Sequence, residues 1–241
     1  MPASPAGDMA ALPTPSRMQD TPSWFIAGTD TGVGKTHASC ALLHALARRH
    51  ARVCGMKPVA AGGIETPAGF ASEDSIALRA ASTVRVPPEL DTPVLLPEPL
   101  SPHLAAARSG RGIELEPIVA AFRALRERAD AVVVEGAGGL LVPLGETLTG
   151  ADLARALALP VVLVVGMRLG CLNHALLTAE ALRARGLVLA GWIANRVDPH
   201  FLCPDENVDY LRTHLGAPLW ADLPWSATPD ARAAAELFEL P

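Results

Sequence analysis

The sequence has very little lysine. Lys35 and Lys57 are the only two in 241 residues, and the other basic side chains are arginine or histidine. Charged residues make up 19% of the chain and the formal net charge is -5, so no basic patch is available to neutralise a nucleic-acid backbone. We therefore expect no nucleic acid partner. Both lysines lie in the N-terminal quarter of the chain, beside the glycine-rich loop.

Cysteine is also sparse, and it follows no binding pattern. Cys40, Cys54, Cys171 and Cys203 are widely spaced and form no C-x-x-C pair, which favours free thiols in a reducing compartment over a disulfide framework or a zinc site. No apolar run approaches the roughly 18 residues that a membrane span needs. We expect a soluble, cytoplasmic protein without a membrane partner.

The N-terminal segment lacks the features of a secretory signal. Residues 1–23 contain several prolines among small and polar residues, with no apolar core flanked by basic residues. We expect residues 1–23 to be a flexible extension, with Met9 or Met18 as alternative starts. Residues 24–241 are then expected to form one domain, and a chain that is 50% hydrophobic can supply its core.

Short apolar runs alternate with longer amphipathic segments. This alternation predicts an α/β domain with a mainly parallel sheet flanked by helices. The predicted strands are 24–27, 52–56, 131–134, 161–165, 189–194 and, more weakly, 218–223. The predicted helices are 34–50, 74–80, 113–128, 151–158, 171–185 and 204–215. Residues 59–112 are the least regular part, and long loops in α/β proteins usually carry function.

A glycine-rich turn, 28–36, joins the first predicted strand to the first predicted helix. Its glycines let backbone N–H groups converge on an anion, and the helix N-terminus adds favourable partial charge. Lys35 would reach the β- and γ-phosphates of a nucleotide, and the Thr36 hydroxyl would ligate Mg²⁺. Gly28 stands one position earlier than the pattern G-x-x-x-x-G-K-[ST] requires, so an ordinary strand–turn–helix is the alternative.

Two further charged residues follow predicted strands. Glu135 comes directly after strand 131–134, and Lys57 comes directly after strand 52–56. Ligands of an open parallel sheet bind beyond the carboxyl ends of its strands, so we expect both beside the glycine-rich turn, with Glu135 ligating Mg²⁺ directly or through water. Taken alone, each would also fit a surface charge, and Asp74 alone would fit a helix N-cap.

These motifs occur in a fixed order over residues 24 to about 230. The other members of the set are Lys57-Pro58-Val59-Ala60, Ser101-Pro102-His103, Val134-Glu135-Gly136-Ala137-Gly138-Gly139, Leu169-Gly170-Cys171-Leu172-Asn173-His174-Ala175, Gly191-Trp192-Ile193-Ala194-Asn195 and Leu223-Pro224-Trp225. The ordered set closely resembles the dethiobiotin synthetase family, whose phosphate loop also has the early glycine. The resemblance implies a single P-loop NTPase-like domain.

The resemblance also implies an activity, that of an ATP- and Mg²⁺-dependent cyclo-ligase. In this family 7,8-diaminononanoate (diaminopelargonate) and CO2 form a carbamate, and the γ-phosphoryl group of ATP activates it as a carbamic–phosphoric anhydride. The neighbouring amine then closes the cyclic urea of dethiobiotin and releases phosphate. Such a site must hold several anions together, so cations and backbone donors should carry most of the catalysis.

Roles for individual residues follow from the same resemblance. The implied catalytic residues are Lys35 and Lys57. The implied Mg²⁺ ligands are Thr36, Asp74 and Glu135. The implied nucleotide contacts are Gly32, Val33, Gly34, Lys35, Thr36, His37, Asp74, Glu135, Gly136, Ala137, Gly138, Asn195, Pro224, Trp225 and Asp230. The implied substrate contacts are Ala61, Gly170, Cys171 and Asn173.

One of these assignments has a chemical reason, and two others involve departures from the family pattern. An asparagine amide such as that of Asn195 can pair with both N6 and N7 of adenine. Gly32 stands where some family members have an acidic residue, and Ala61 stands where a serine often contacts substrate. These two departures leave the positioning of the substrate open.

The resemblance further implies a homodimer with its active site at the interface. The turn 169–174 opens a predicted helix, so its backbone N–H groups would bind the carboxylate of a substrate held by the partner subunit. The alternative is that Asn173 only caps its helix.

Two other classes of protein share parts of the pattern. The amidotransferase-linked synthetases of cobalamin assembly have a similar ATP domain, but they need a glutamine-hydrolysing domain, for which we expect this chain to be too short. ParA/MinD-like ATPase switches carry a second lysine near the position of Asp30, and this loop does not.

Overall fold

The computed structural model describes residues 21–67 and 69–241. Its strands in chain order are β1 (Ser23–Gly28), β2 (Val53–Met56), β3 (Val59–Ala61), β4 (Ile64–Thr66), β5 (Gly69–Ala71), β6 (Val94–Leu96), β7 (Ala131–Gly139), β8 (Val161–Gly166), β9 (Leu189–Asn195) and β10 (Leu219–Leu223). Its helices are α1 (Lys35–Leu46), α2 (Glu73–Ala81), α3 (Pro88–Asp91), α4 (Pro102–Arg108), α5 (Leu115–Arg128), α6 (Gly150–Ala156), α7 (Cys171–Ala184), α8 (Pro204–His214) and α9 (Ala231–Ala234), followed by a 3₁₀ turn at Ala235–Leu237.

A six-stranded sheet in the order β10-β9-β8-β1-β7-β2 forms the centre of the domain. Every neighbouring pair in it is parallel. Strand residues such as Ile26, Val133 and Val164 are fully buried because helices cover both faces of the sheet. Full burial of one such side chain contributes about 1.5–3 kcal/mol to folding. The expected α/β domain with a mainly parallel, helix-flanked sheet is confirmed.

The core is divided by the sheet into two clusters of buried side chains. Helices α5, α6, α7 and α8 contribute to one cluster, and α1, α2 and α9 contribute to the other. Trp220 belongs to the second cluster, where its ring meets Trp24 edge-on at a centroid distance of 5.5 Å. Within the described residues no helix is both long enough and apolar enough to cross a bilayer.

Several predicted boundaries differ from those observed. Strand β7 continues to Gly139, five residues beyond the predicted end at Val134, and so carries Glu135 inside a strand. Helix α1 ends at Leu46 rather than at residue 50. Helix α2 is capped by Ser72, whose hydroxyl oxygen accepts from the Ser75 N–H at 3.1 Å, so Asp74 lies in the first turn and is not the cap.

The irregular segment 59–112 contains more structure than its sequence predicts. Strands β3 and β6 form a parallel pair, β4 and β5 form an antiparallel hairpin, and α4 begins with Pro102 at its first position. Strand β1 begins at Ser23, the last residue of the expected N-terminal extension; residues 1–20 lie outside the described part of the chain, so that expectation remains a prediction.

Candidate active site

Three neighbouring strands position the candidate site, β1 and β2 through the residues that follow them and β7 through Glu135 within the strand. Strand β7 lies between β1 and β2, so Glu135 of β7 is flanked by the phosphate loop after β1 and by Lys57 after β2. Thr36 is at the start of α1, and Asp74 is added from α2. Residues 36, 57, 74 and 135 thereby meet at one edge of the sheet. The sequence pattern predicts this for Lys57 and Glu135, whereas Asp74 is implied only by the family resemblance.

One hydroxyl and one ammonium bridge the same two carboxylates. The Thr36 hydroxyl lies 2.8 Å from Asp74 Oδ1 and 3.0 Å from Glu135 Oε1. The Lys57 Nζ lies 2.7 Å from Asp74 Oδ2, 2.7 Å from Glu135 Oε1 and 3.3 Å from the Gly136 carbonyl oxygen. The cluster is therefore a tightly paired set of charges and not a loose group of surface side chains.

Burial and pairing set the protonation of this cluster. Glu135 is 1% exposed and Lys57 is 4% exposed. Burial lowers the pKa of Lys57, but the carboxylates of Glu135 and Asp74 outweigh burial and raise it, so the amine is an ammonium. Burial raises the pKa of Asp74, and the Lys57 charge outweighs that and lowers it, so this group is a carboxylate.

Lys35 differs from Lys57 in its protonation. Burial, followed by repulsion from the Lys57 charge, lowers the pKa of Lys35 to about 8. Its Nζ donates to the Asp30 carbonyl oxygen at 3.2 Å. The two lysines of this chain thus lie in one site, one held firmly as a cation and the other able to lose its proton near neutral pH.

The oxygen atoms of the cluster fit a small divalent cation. Glu135 Oε2 is buried and has no hydrogen-bond partner, so one carboxylate oxygen remains available. Two carboxylates and a hydroxyl are the hard oxygen donors that Mg²⁺ prefers. No group of three or more His, Cys, Asp and Glu side chains in residues 21–67 and 69–241 is arranged to hold a metal. Phosphate oxygens and water would have to complete the coordination of a Mg²⁺ ion here.

The phosphate loop depends on two glycines and on Asn195. Gly32 and Gly34 have φ values of 73° and 79°, which L side chains rarely adopt. A Cβ at Gly34 would lie 2.1 Å from Asn195 Nδ2, while a Cβ at Gly32 would meet nothing within 4 Å. Asn195 Nδ2 donates to the Val33 carbonyl oxygen at 2.8 Å, so this side chain holds the loop from the end of β9.

An ion pair that the sequence did not indicate also holds this loop. Asp30 Oδ1 accepts from the Thr31 N–H at 2.7 Å, and Asp30 Oδ2 accepts from Arg168 Nη2 at 2.6 Å. Arg168 follows β8 and lies 138 positions away along the chain. No local pattern could have paired these residues, because only the sheet order brings β1 and β8 together.

A cavity of about 630 Å³ adjoins the charged cluster. Lys57 and Asp74 form part of its wall, together with Thr31 and Ala61. The rest of the wall is mostly apolar and consists of Val59, Pro99, Leu100, Ser101, Pro102, Leu104, Ala137, Gly138 and Val142. The cavity therefore suits a ligand with an apolar body and a polar group directed at Lys57 and Asp74.

The predicted substrate turn lies outside this cavity. Neither Gly170, Cys171 nor Asn173 belongs to its wall. Gly170 is the N-cap of α7 with φ 94°, no side chain caps the helix, and the Cys171 N–H donates to the Arg168 carbonyl oxygen at 3.0 Å. The alternative in which Asn173 caps the helix is thus not observed. The adjoining Leu169 is 91% exposed.

Of the residues predicted on the adenine side, Asp230 lies near His37 at the start of α1. Pro224 and Trp225 are exposed after β10. The Asp230 carboxylate caps α9, accepting from the Arg232 N–H at 2.8 Å. Burial lowers the pKa of His37, and the negative charge of Asp230 acts in the opposite direction. The Asp230 carboxylate is therefore close enough to interact with the His37 ring.

A glycine-rich phosphate loop between the first strand and first helix of a parallel sheet defines a P-loop nucleotide-binding protein. A protein family described as an AAA domain matches residues 23–232. The chain is 52% identical over 220 residues to the ATP-dependent dethiobiotin synthetase BioD of Xanthomonas oryzae pv. oryzae (strain PXO99A), covering 91% of this chain and 98% of that protein. It is also 52% identical over 226 residues to the enzyme of the same name from Aromatoleum aromaticum, covering 93% and 100%. This chain belongs to the dethiobiotin synthetase family.

Solved structures of similar shape include more distant P-loop ATPases. The MinD cell division protein of Aquifex aeolicus superposes with a TM-score of 0.55 at 14% identity, covering 89% of this chain and 93% of that one. A ParA family ATPase from Chlorobium tepidum TLS gives 0.53 at 16% identity, covering 89% of each chain. At these identities the likeness concerns the fold alone.

Proposed function

We propose that this protein converts 7,8-diaminononanoate, CO2 and ATP into dethiobiotin, ADP and phosphate. The observation that carries the proposal is the meeting of Lys35, Thr36, Lys57, Asp74 and Glu135 at one edge of the sheet, in a chain of the dethiobiotin synthetase family. ATP dependence follows from the name of the relatives and from the phosphate loop.

Thr36, Asp74 and Glu135 are the residues that would hold Mg²⁺. The unpartnered Glu135 Oε2 and the shared geometry of the two carboxylates support this role. When bound, Mg²⁺ neutralises phosphate charge and orients the transferred phosphoryl group. The site lies beside Lys35, so metal and lysine together offset the charge of a triphosphate.

Lys57 is proposed to act on the carbamate. One amine of the substrate attacks CO2 and loses a proton, which gives a carbamate anion. A carbamate oxygen then attacks the γ-phosphorus of ATP, ADP leaves, and a carbamic–phosphoric anhydride results. The second amine attacks the carbamate carbon, loses a proton and expels phosphate as the ring closes. A fixed ammonium at Lys57 stabilises the negative charge on the carbamate and on the transferred phosphoryl group.

The 630 Å³ cavity is proposed to bind the diamine. Its polar end carries Lys57 and Asp74, and its apolar wall suits the methylene groups of the substrate. Ala61 contributes no hydroxyl to this wall, so the hydroxyl groups it offers are those of Thr31 and Ser101. The cavity would therefore place the amines next to the charged cluster.

The substrate carboxylate lies at the other end of the methylene chain and needs a second binding site. We assign it to the 170–173 turn of a partner subunit in a homodimer. The turn is not part of the cavity in its own chain, and Leu169 beside it is almost fully exposed. Because the Cys171 N–H is already bonded, the next N–H groups of α7 would bind the carboxylate.

Fixation of labelled carbon tests the overall proposal. The protein is incubated with ATP, Mg²⁺, diaminononanoate and ¹⁴C-bicarbonate, and acid-stable label is measured after the mixture is acidified. A cyclic urea retains the label, whereas a free carbamate releases it as CO2. We expect label only when both ATP and the diamine are present. ATP hydrolysis stimulated by a protein or DNA partner, without fixation of label, would instead favour a ParA/MinD-like switch.

A further inference from the structure

The phosphate loop contains a carboxylate beside the place where it should bind phosphate. Asp30 precedes Thr31 in this loop, and its side chain is 48% exposed. An uncompensated negative charge here would repel a triphosphate. Its own carboxylate oxygens, however, are both engaged, one by the Thr31 N–H at 2.7 Å and one by Arg168 Nη2 at 2.6 Å.

Asp30 also orients a catalytic lysine through its main chain. Lys35 Nζ donates to the Asp30 carbonyl oxygen at 3.2 Å. The carboxylate and the carbonyl group of one residue thus fix two parts of the loop, the peptide at Thr31 and the ammonium of Lys35. A rotation of Asp30 would disturb both contacts at once.

Arg168 is held firmly enough to act as the anchor for Asp30. The preceding residue, Met167, donates its N–H to the Asn195 carbonyl oxygen at 2.8 Å. The Arg168 carbonyl oxygen accepts from the Cys171 N–H at 3.0 Å, in the first turn of α7. Its main chain is therefore bonded on both sides, while its guanidinium extends to the phosphate loop.

We propose that Arg168 is a positioning residue for nucleotide binding, which acts through Asp30. Its guanidinium cancels the charge of the Asp30 carboxylate and fixes that residue so that its carbonyl oxygen orients Lys35. The proposal rests on the nucleotide site proposed above. It adds to that site a cation from outside the phosphate loop, in the segment that follows β8.

ATP affinity of four proteins tests this proposal. Wild type, Arg168→Met, Asp30→Asn and the double variant are titrated with a fluorescent ATP analogue in the presence of Mg²⁺. Arg168→Met should weaken binding about fivefold, the upper end for one partly exposed charge pair. The amide in Asp30→Asn keeps an oxygen for the Thr31 N–H but carries no charge, so Arg168→Met should change affinity less than about twofold in that background. Arg168→Lys should retain most of the affinity, since it keeps the charge.

The chain offers a matched control in Arg52 and Asp130. Their ion pair is also 2.6 Å long, and the side chains of Arg52 and Asp130 are 40% and 31% exposed, compared with 38% and 48% for Arg168 and Asp30. The two residues precede β2 and β7, so the pair lies at the opposite edge of the sheet. Arg52→Met should lower the urea midpoint about as much as Arg168→Met does, without changing ATP affinity.

Three results would overturn the proposal. Unchanged ATP affinity in Arg168→Met would remove the role of Arg168. If Arg168→Met lowers ATP affinity equally in the wild type and in the Asp30→Asn background, Arg168 acts on the nucleotide directly. An equal loss of ATP affinity in Arg52→Met would show that the effect comes from a general loss of stability. Failure of the wild type to bind the analogue would instead contradict the nucleotide site itself.

Discussion

Lys57 is the residue whose environment most closely matches a single task. It is buried, its ammonium is bonded to two carboxylates, and the cavity opens beside it. Lys35 belongs to the phosphate loop and has a lowered pKa. Substitutions of the two lysines should therefore have different effects, because Lys57 lines the cavity proposed for the substrate and Lys35 belongs to the loop proposed to bind the phosphates.

Replacement of Lys57 should affect chemistry more than nucleotide binding. We expect Lys57→Ala to form dethiobiotin about 10²–10³-fold more slowly, the usual cost of removing one preorganised charge. Lys57→Arg should recover little, because a planar guanidinium does not replace a compact ammonium between two carboxylates. Product formation and ATP affinity are measured side by side. Loss of ATP binding in proportion to activity would make Lys57 a phosphate ligand instead.

Substitution of the two loop glycines should have unequal effects. Both Gly32→Ala and Gly34→Ala would place an alanine at a positive φ, which costs about 1–2 kcal/mol. Only at Gly34 would the new Cβ lie 2.1 Å from Asn195 Nδ2 and push that side chain off the Val33 carbonyl oxygen. We expect Gly34→Ala to be the less stable variant and to bind ATP more weakly. Urea unfolding and nucleotide titration of both variants check this, and equal losses would contradict it.

At the scale of elements, the six strands of the central sheet and helices α1, α2, α5, α6, α7 and α8 could be predicted, whereas β3 to β6, α3, α4 and α9 could not. The segment from β1 to α1 is specified locally, by an apolar run, two positive-φ glycines and Gly-Lys-Thr. Strands β3 and β6 have three residues each, and the paired residues are 35 positions apart, so their pairing depends on tertiary contacts that no local pattern encodes. The same reason hides the bond from Arg168 to Asp30, whereas Lys57 and Glu135 could be brought together from the rule that parallel strands end at one edge.

The start of α6 provides an element whose stability should depend on pH. The Asp152 carboxylate accepts from the Thr149 hydroxyl at 2.7 Å and from the Thr149 N–H at 2.9 Å. The hydroxyl bond is the main reason that the pKa of Asp152 lies below its usual value. A carboxyl group with a lowered pKa in the folded state adds stability above its unfolded pKa of about 3.9, and that stability is lost as the pH falls through the folded value.

Asp152→Asn should therefore destabilise the protein at neutral and mildly acidic pH, but not at a pH below the pKa of Asp152. We expect a loss of about 0.5–2 kcal/mol near pH 7, as for the removal of a helix cap. The difference from wild type should shrink as the pH falls below about 4, since Asp152 becomes protonated in the wild type as well. Urea unfolding over a series of pH values measures it. A difference that does not change with pH would show that charge on Asp152 plays no part.

At the scale of the whole molecule, two incomplete subunits should complement each other. Lys57→Ala removes the amine end of a site, and disruption of the 170–173 turn removes the proposed carboxylate end. If each site uses both subunits, a heterodimer has one site with both defects and one with neither. Mixing the two variants should restore activity to about half of the heterodimer's sites. Exchange of subunits is verified with two affinity tags, and exchange without recovery would place the carboxylate site within one chain.

The scarcity of lysine has a consequence for chemical labelling. An amine-selective acylating reagent finds only Lys35, Lys57 and the N-terminal amine in this chain. Acylation requires a neutral amine, and Lys57 is held as an ammonium by two carboxylates, while the pKa of Lys35 is about 8. Brief labelling near pH 8 should therefore modify Lys35 ahead of Lys57, and bound ATP should protect Lys35. Peptide mass spectrometry would then read occupancy of the phosphate loop from one acyl group, without any measurement of turnover.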